Sequence, residues 1–332
     1  MRINLARQPL IPAFLSLVIL LLLALSQTAD GGSVPALRPG MSAEELPIPA
    51  LGAWLEQFRQ DNSGWAHLLG GLMLFFSAMT IGRMTARLKL YGINTFISMP
   101  LYTLCLMGLV RTEWWFSGLV VSTLLTLTIK NFCYSFRNGF SFDSTFRGGM
   151  YLAAAILVDP KAAPLLLALP IALVQFRRAT REGMVAIAGF LLPPFVLAYL
   201  NWALGGSWIA PFQLLYHLFM EGEWLTCWLE LSLTEQLFGG VLVVLNLLSI
   251  ILFLLNSYTL STRSRHTLFY ASYLFMLCTT IALVPGASMH LIAELAVPAS
   301  LLLPVLFIRI RSSITQILYP ALVAAALASL YL

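Results

Sequence analysis

Residues 237–257 read LFGGVLVVLNLLSIILFLLNS, an apolar run without one charged side chain. The hydrocarbon core of a bilayer is about 30 Å thick, and a helix rising about 1.5 Å per residue crosses it in roughly 20 residues. The run therefore reads as a transmembrane helix, and it sets the scale for the rest of the chain. Working outward, the same criterion picks out 9–26, 64–82, 94–110, 114–134, 146–158, 162–176, 183–204, 267–285, 290–308 and 313–332. Together these segments predict an all-α fold, a polytopic transmembrane helical bundle of about 11 spans (10–12) forming one domain over residues 1–332. Segments 146–158 and 162–176 are short for full crossings, so full spans and a re-entrant turn both stand there. Segment 9–26 follows Arg2 and Arg7 and ends in Ala24-Leu25-Ser26. It reads as a retained anchor in preference to a cleaved signal peptide, because its apolar run is long for a signal sequence.

Composition points the same way. The chain is 59% hydrophobic and 10% charged, with a mean hydropathy of +0.86. A soluble domain carries about 25% charged residues to face water, so lipid must be part of the solvent here. The net charge of +5 does not imply nucleic acid. The cations stand in short clusters between apolar segments, and no nucleic-acid-binding motif accompanies them. Cys105, Cys133, Cys227 and Cys278 form no CxxC pair and no metal-ligand spacing. No metal and no cofactor are expected. Walker, GxSxG and HExxH patterns are absent, which argues against an ATP-driven pump in this chain alone, a serine hydrolase and a zinc protease.

Orientation follows from the cations, which are retained on the side of synthesis. With a cytoplasmic N-terminus, all but Arg38, Arg59, Arg111 and Lys161 of the 19 Lys and Arg residues fall inside. Of the 14 Asp and Glu residues, only Asp143 and Glu182 fall inside. Trp54, Trp65, Trp114, Trp115, Trp202, Trp208, Trp224 and Trp228 all lie at or beside the outer boundary. Indole favours that depth, where its ring is half buried and its N–H stays hydrated. The expected location is a bacterial inner membrane, with membrane lipids as the immediate partners and no nucleic acid.

Two long connections, 27–63 and 205–236, are then outer loops. In the first, Leu51, Trp54, Leu55 and Phe58 repeat at helical spacing opposite Glu56 and Arg59, predicting an amphipathic interfacial helix. In the second, Trp208, Phe212, Leu215 and Phe219, then Trp224, Leu225, Trp228 and Leu229, predict two short helices along the membrane. Such helices either close the outer end of the bundle or frame the way in for a lipid-borne substrate.

The candidate catalytic residues are the outer carboxylates Asp30, Glu44 and Glu45, since a general base needs a carboxylate within hydrogen-bond reach of its proton. Ser42 and Glu45 also fit a helix capping box. Candidates for binding substrate or lipid phosphate are Arg59, Arg111, Asp159, Lys161, His290 and Glu294. Asp159-Pro160-Lys161 interrupts an apolar stretch. It reads either as a solvated turn or as a turn sunk below the interface, where its charges need partners. His290 and Glu294 are four apart and share a helix face, and a Glu within an apolar helix turns toward a partner.

Two stretches carry a family likeness. One is Gly92-Ile93-Asn94 leading into Phe96-Ile97-Ser98-Met99-Pro100-Leu101-Tyr102. The other is Phe146-Arg147-Gly148-Gly149 followed by Asp159-Pro160, then Arg177-Arg178-Ala179-Thr180-Arg181-Glu182 and Gly189-Phe190-Leu191-Leu192-Pro193. Together they resemble an uncharacterised family of bacterial polytopic inner-membrane proteins. That resemblance implies the fold and brings no activity with it. At the level of architecture, the acidic first outer loop, the interfacial helices and the short connections resemble multi-pass glycosyltransferases that use polyprenyl-phosphate sugars. The expected function is thus a multi-pass protein of cell-envelope biogenesis, in its sharpest form a lipid-linked glycosyltransferase taking a polyprenyl-phosphate-linked sugar. The rivals are a non-catalytic scaffold for other membrane proteins, docking through small residues such as Gly70-Gly71 and Gly239-Gly240, and a transporter or lipid flippase.

Overall fold

The computed structural model describes residues 10–25, 50–110, 115–134, 141–220, 222, 233–281, 284–285 and 290–331. It is 88% helical, with 13 α-helices and no strand among the described residues. In chain order these are α1 (Leu10–Leu25), α2 (Leu51–Asp61), α3 (Ser63–Arg87), α4 (Ser98–Val110), α5 (Trp115–Tyr134) and α6 (Phe142–Val158). A 3-10 segment, Pro160–Leu167, then runs into α7 (Ala168–Gln175). There follow α8 (Thr180–Ala203), α9 (Ala210–Met220), α10 (Leu233–Asn256), α11 (Thr262–Ile281), α12 (His290–Arg309) and α13 (Ser312–Tyr331).

Every apolar segment picked out in the sequence carries a helix, the sixth as the 3-10 segment continued by α7. Four helices are long and apolar enough to cross a membrane, over Ser63–Arg87, Trp115–Cys133, Thr180–Ala203 and Gln236–Thr259. Of the two helices expected in the second loop, the first is α9, and residues 224–229 lie outside the described residues.

Helices α4 and α12 form the centre. Met99, Leu101, Tyr102, Leu104, Leu106 and Met107 of α4 are buried, as are Val297, Leu301, Leu302, Leu303 and Phe307 of α12. A helix apolar on all sides belongs inside. Helix α12 packs against α3, α4, α5, α10 and α11. At the rim, α8 exposes Met184, Ile187, Leu191 and Phe195, and α10 exposes Leu237, Val244, Ile251 and Leu255. Apolar surface of that extent calls for lipid. Pro193 and Pro194 lie inside α8, and Pro298 and Pro304 inside α12. In water an interior proline costs about 3 kcal/mol, whereas packed membrane helices re-satisfy the backbone groups it frees.

Small residues set the closest crossing. A Cβ at Gly149 would collide with the Ala186 carbonyl of α8, and one at Gly189 with the Phe146 carbonyl of α6. The two backbones touch where both lack a side chain. Gly70 likewise receives the Trp115 ring, whereas Gly239 and Gly240 have no neighbour within 4 Å of where a Cβ would stand. Of the two small-residue pairs noted in the sequence, the Gly70 site is thus filled from within the chain.

Helices α3 and α7 end in the same way. The N–H of Leu90 reaches the Thr85 carbonyl at 3.0 Å, and that of Arg178 reaches Leu173 at 2.9 Å. The residue before each donor is left-handed, Lys89 with φ 47° and Arg177 with φ 49°. Glycine is the usual occupant of that position.

Candidate functional site

The stop at the end of α6 is written in its sequence. Pro160 cannot continue the helix, and it forces the residue before it to extend. Asp159 accordingly takes φ −123° and ψ 98°, and its carboxylate accepts the Lys161 N–H at 3.0 Å, capping the 3-10 segment. This is the usual task of Asp at a helix start, with Pro in the first turn where no N–H is needed. Asp159 is nevertheless only 7% exposed. The 3-10 segment is packed among α6, α9 and α11, which closes the turn off from the surface.

Lys161 turns its ammonium inward. Its Nζ donates to the Pro285 carbonyl at 2.7 Å and to the Phe219 carbonyl at 3.2 Å. Phe219 lies in the last turn of α9, where carbonyls have no partner within their own helix and carry partial negative charge. The lysine thereby ties α9 and the 284–285 turn to the Asp159 corner.

Glu294 completes the cluster from α12. It is fully buried, and neither carboxylate oxygen has a hydrogen-bond partner among the described residues. Asp159 and Cys278 of α11 lie within electrostatic reach of it. Desolvating an isolated carboxylate costs several kcal/mol, so such a group needs a proton, a cation or a polar ligand. Several other buried polar atoms also lack a partner, but among the described residues Glu294 is the one carboxylate that does. A carboxylate in that position can take up a proton or accept a hydrogen bond from a hydroxylated ligand.

An ion pair lies at the same end. Glu56 accepts the Ser117 N–H at 2.9 Å and the Arg59 Nε–H at 2.6 Å, and the two side chains are 2% and 4% exposed. This corrects the sequence reading of α2, which put Glu56 and Arg59 on its solvated face. The buried face is the charged one, and Trp54 is 52% exposed. The reason is local. Ser117 is in the first turn of α5, whose N–H groups lack helical partners, and Glu56 supplies the acceptor. A Cβ at Gly52 would meet the Val158 carbonyl, so α2 lies directly on the end of α6.

The structure thus sets Asp159 and Lys161 at one corner, brings Glu294 within electrostatic reach of Asp159, and pairs Arg59 with Glu56. His290 opens α12, one turn before Glu294. Asp30, Glu44, Glu45 and Arg111 lie outside the described residues, as does the capping pattern at Ser42. Sequence reasoning missed Cys278 and the two carbonyls that hold Lys161. Nothing in the sequence marks a carbonyl as an acceptor. It also missed Glu56 as a buried acceptor, although the Glu56/Arg59 spacing of three residues signals an ion pair.

Four helices long and apolar enough to cross a membrane, with apolar side chains exposed at the rim, point to the class, a helical membrane protein. No family model, curated protein or solved structure matches the chain.

Proposed function

We propose that this is a multi-pass protein of the bacterial inner membrane, with about 11 spans and a cytoplasmic N-terminus. Its carboxylate end faces outward, and it acts in cell-envelope biogenesis on a lipid-borne substrate. The reaction that suits the residues is glycosyl transfer from a polyprenyl-phosphate sugar. The acceptor hydroxyl attacks the anomeric carbon, the bond from that carbon to the phosphate oxygen breaks, and polyprenyl phosphate leaves. A carboxylate takes the acceptor proton, and a neighbouring cation offsets the charge of the departing phosphate. Lys161 supplies positive charge at the Asp159 corner, and the outer carboxylates Asp30, Glu44 and Glu45 remain candidates for the base.

The observation that carries this reading is Glu294, buried with both oxygens unpartnered beside a second carboxylate. Ionisable groups at that depth mark working sites by default. The test is transfer of sugar from polyprenyl phosphate by the purified protein in lipid vesicles. Glu294→Gln and Asp159→Asn are expected to abolish transfer, while Glu294→Gln shifts unfolding stability by less than about 1 kcal/mol. Unchanged transfer in both variants, with envelope glycans equally unchanged in cells, rules the reading out.

One observation favours a second reading, a scaffold for other membrane proteins. Gly239 and Gly240 lie open on α10, a helix whose outer face is apolar. Purification in mild detergent separates the two, since a stoichiometric partner lost on Gly240→Leu belongs to the scaffold.

A further inference from the structure

At the other end of α3 and α5 lies a concavity of about 740 Å³. That is within the ~300–1,000 Å³ typical of small-molecule sites. Thr80, Arg83 and Arg87 of α3 line it, with Lys130 of α5 opposite and Asn94 and Phe96 from the approach to α4. No carboxylate is among the described lining residues. Arg83 and Arg87 are one turn apart on a single helix face, an arrangement that costs a few tenths of a kcal/mol through like-charge repulsion. Bringing Lys130 to the same hollow adds to that repulsion.

Three other cations of this end make contacts within the protein. Arg178 donates to the Phe132 carbonyl and the Ser141 hydroxyl and pairs with Glu182 at 3.5 Å. Arg147 meets Asp143, and Arg309 donates to the Thr259 hydroxyl. The walls of the hollow are fixed. The Ser77 hydroxyl donates to that of Thr123 at 3.0 Å, joining α3 to α5 one turn away, and Met99 of α4 fills the notch at Gly82.

We infer that this hollow binds a phosphate-bearing group, presented either by an anionic lipid headgroup or by a small phosphorylated solute. Arginine forks match phosphate oxygens two at a time, lysine adds a compact charge, and Asn94 and Thr80 offer neutral donors. Phe96 gives an apolar edge to whatever the phosphate is attached to. The site lies at the end of two helices long enough to cross a bilayer, which is headgroup depth. Basic pockets between such helices take anionic headgroups. The inference is independent of the carboxylate centre, since the two sites share no residue.

The experiment uses the full chain in phosphatidylcholine nanodiscs, with and without phosphatidylglycerol. Native mass spectrometry counts retained phosphatidylglycerol, and thermal unfolding in phosphatidylcholine alone reads the response to inorganic pyrophosphate. Arg83→Gln and Lys130→Gln are each expected to weaken binding by about tenfold, the effect of one lost charged hydrogen bond. Arg311→Gln, an exposed cation outside the hollow, leaves binding unchanged. Retention of phosphatidylglycerol without a pyrophosphate response assigns the phosphate to a lipid, and a pyrophosphate response assigns it to a solute. Should Arg83→Gln fail to unfold cooperatively, Arg83→Lys and Lys130→Gln decide the matter. Absence of binding in both arms overturns the inference, and so does equal weakening by Arg311→Gln, which would mean diffuse charge attraction.

Discussion

The two ends of the bundle both bury an ion pair but differ in what they do with the rest of their charge. At one end Glu56, Arg59, Asp159, Lys161 and Glu294 are drawn inside, and most are held by backbone groups at helix ends. At the other end Arg178 and Glu182 are also buried as a pair, but Arg83 and Arg87 stand exposed around an open hollow. A carboxylate fits the N-terminal N–H groups of a helix and an ammonium fits the C-terminal carbonyls. Helix starts and stops that meet below the surface therefore pull charges in with them. Where two helices end beside water or headgroups, cations extend outward instead. The sealed end is built for stability and for a reactive interior group, and the open end for a ligand that arrives from outside.

The largest effect tests the sealed end. Glu56→Ala leaves Arg59 and the Ser117 N–H short of their acceptor, and breaking a buried pair costs about 3–5 kcal/mol. Thermal unfolding in detergent is expected to show that loss, whereas Arg83→Gln at the open end changes stability by less than about 0.5 kcal/mol. Equal losses from the two would erase the contrast.

A middle-sized effect tests what holds the ends in register. Gly149→Val drives a side chain into the Ala186 carbonyl, and overpacking of this kind costs about 1–3 kcal/mol. Because α6 carries Asp159 at its far end, the substitution should also disturb the carboxylate cluster. A crosslink between cysteines placed on α6 and α8 should form less readily in that variant.

The smallest effect is a gain. Lys89→Gly relieves a left-handed side chain at the end of α3 and should stabilise by about 0.5–1 kcal/mol, read as a higher unfolding midpoint. A loss would mean that the lysine side chain contributes more than its backbone costs.

Much of the fold was legible because lipid imposes a simple rule, apolar length, and the helices fall on the apolar segments. The Asp159 corner was legible for a similar reason, since proline and aspartate announce a stop in any solvent. The partnership of Asp159 with Glu294 was not. Their positions in the chain are remote, and only the tertiary fold brings Glu294 within electrostatic reach of Asp159. The fate of Arg59 was misread because an amphipathic pattern reports which residues are apolar. It does not report whether a helix terminus waits to accept a charge. The Arg83–Arg87–Lys130 hollow was visible only as cations on one side, and the convergence of α3, α5 and the 94–96 segment made it a site.

The polarity of the bundle is tested most directly by impermeant thiol labelling of intact cells. The protein would carry Cys227→Ser and a single new cysteine, at Trp65 on the sealed end or at Arg87 on the open end. The account expects Trp65→Cys to be labelled from outside and Arg87→Cys only after the inner membrane is permeabilised. Labelling of Arg87→Cys in intact cells, with Trp65→Cys protected, would contradict it.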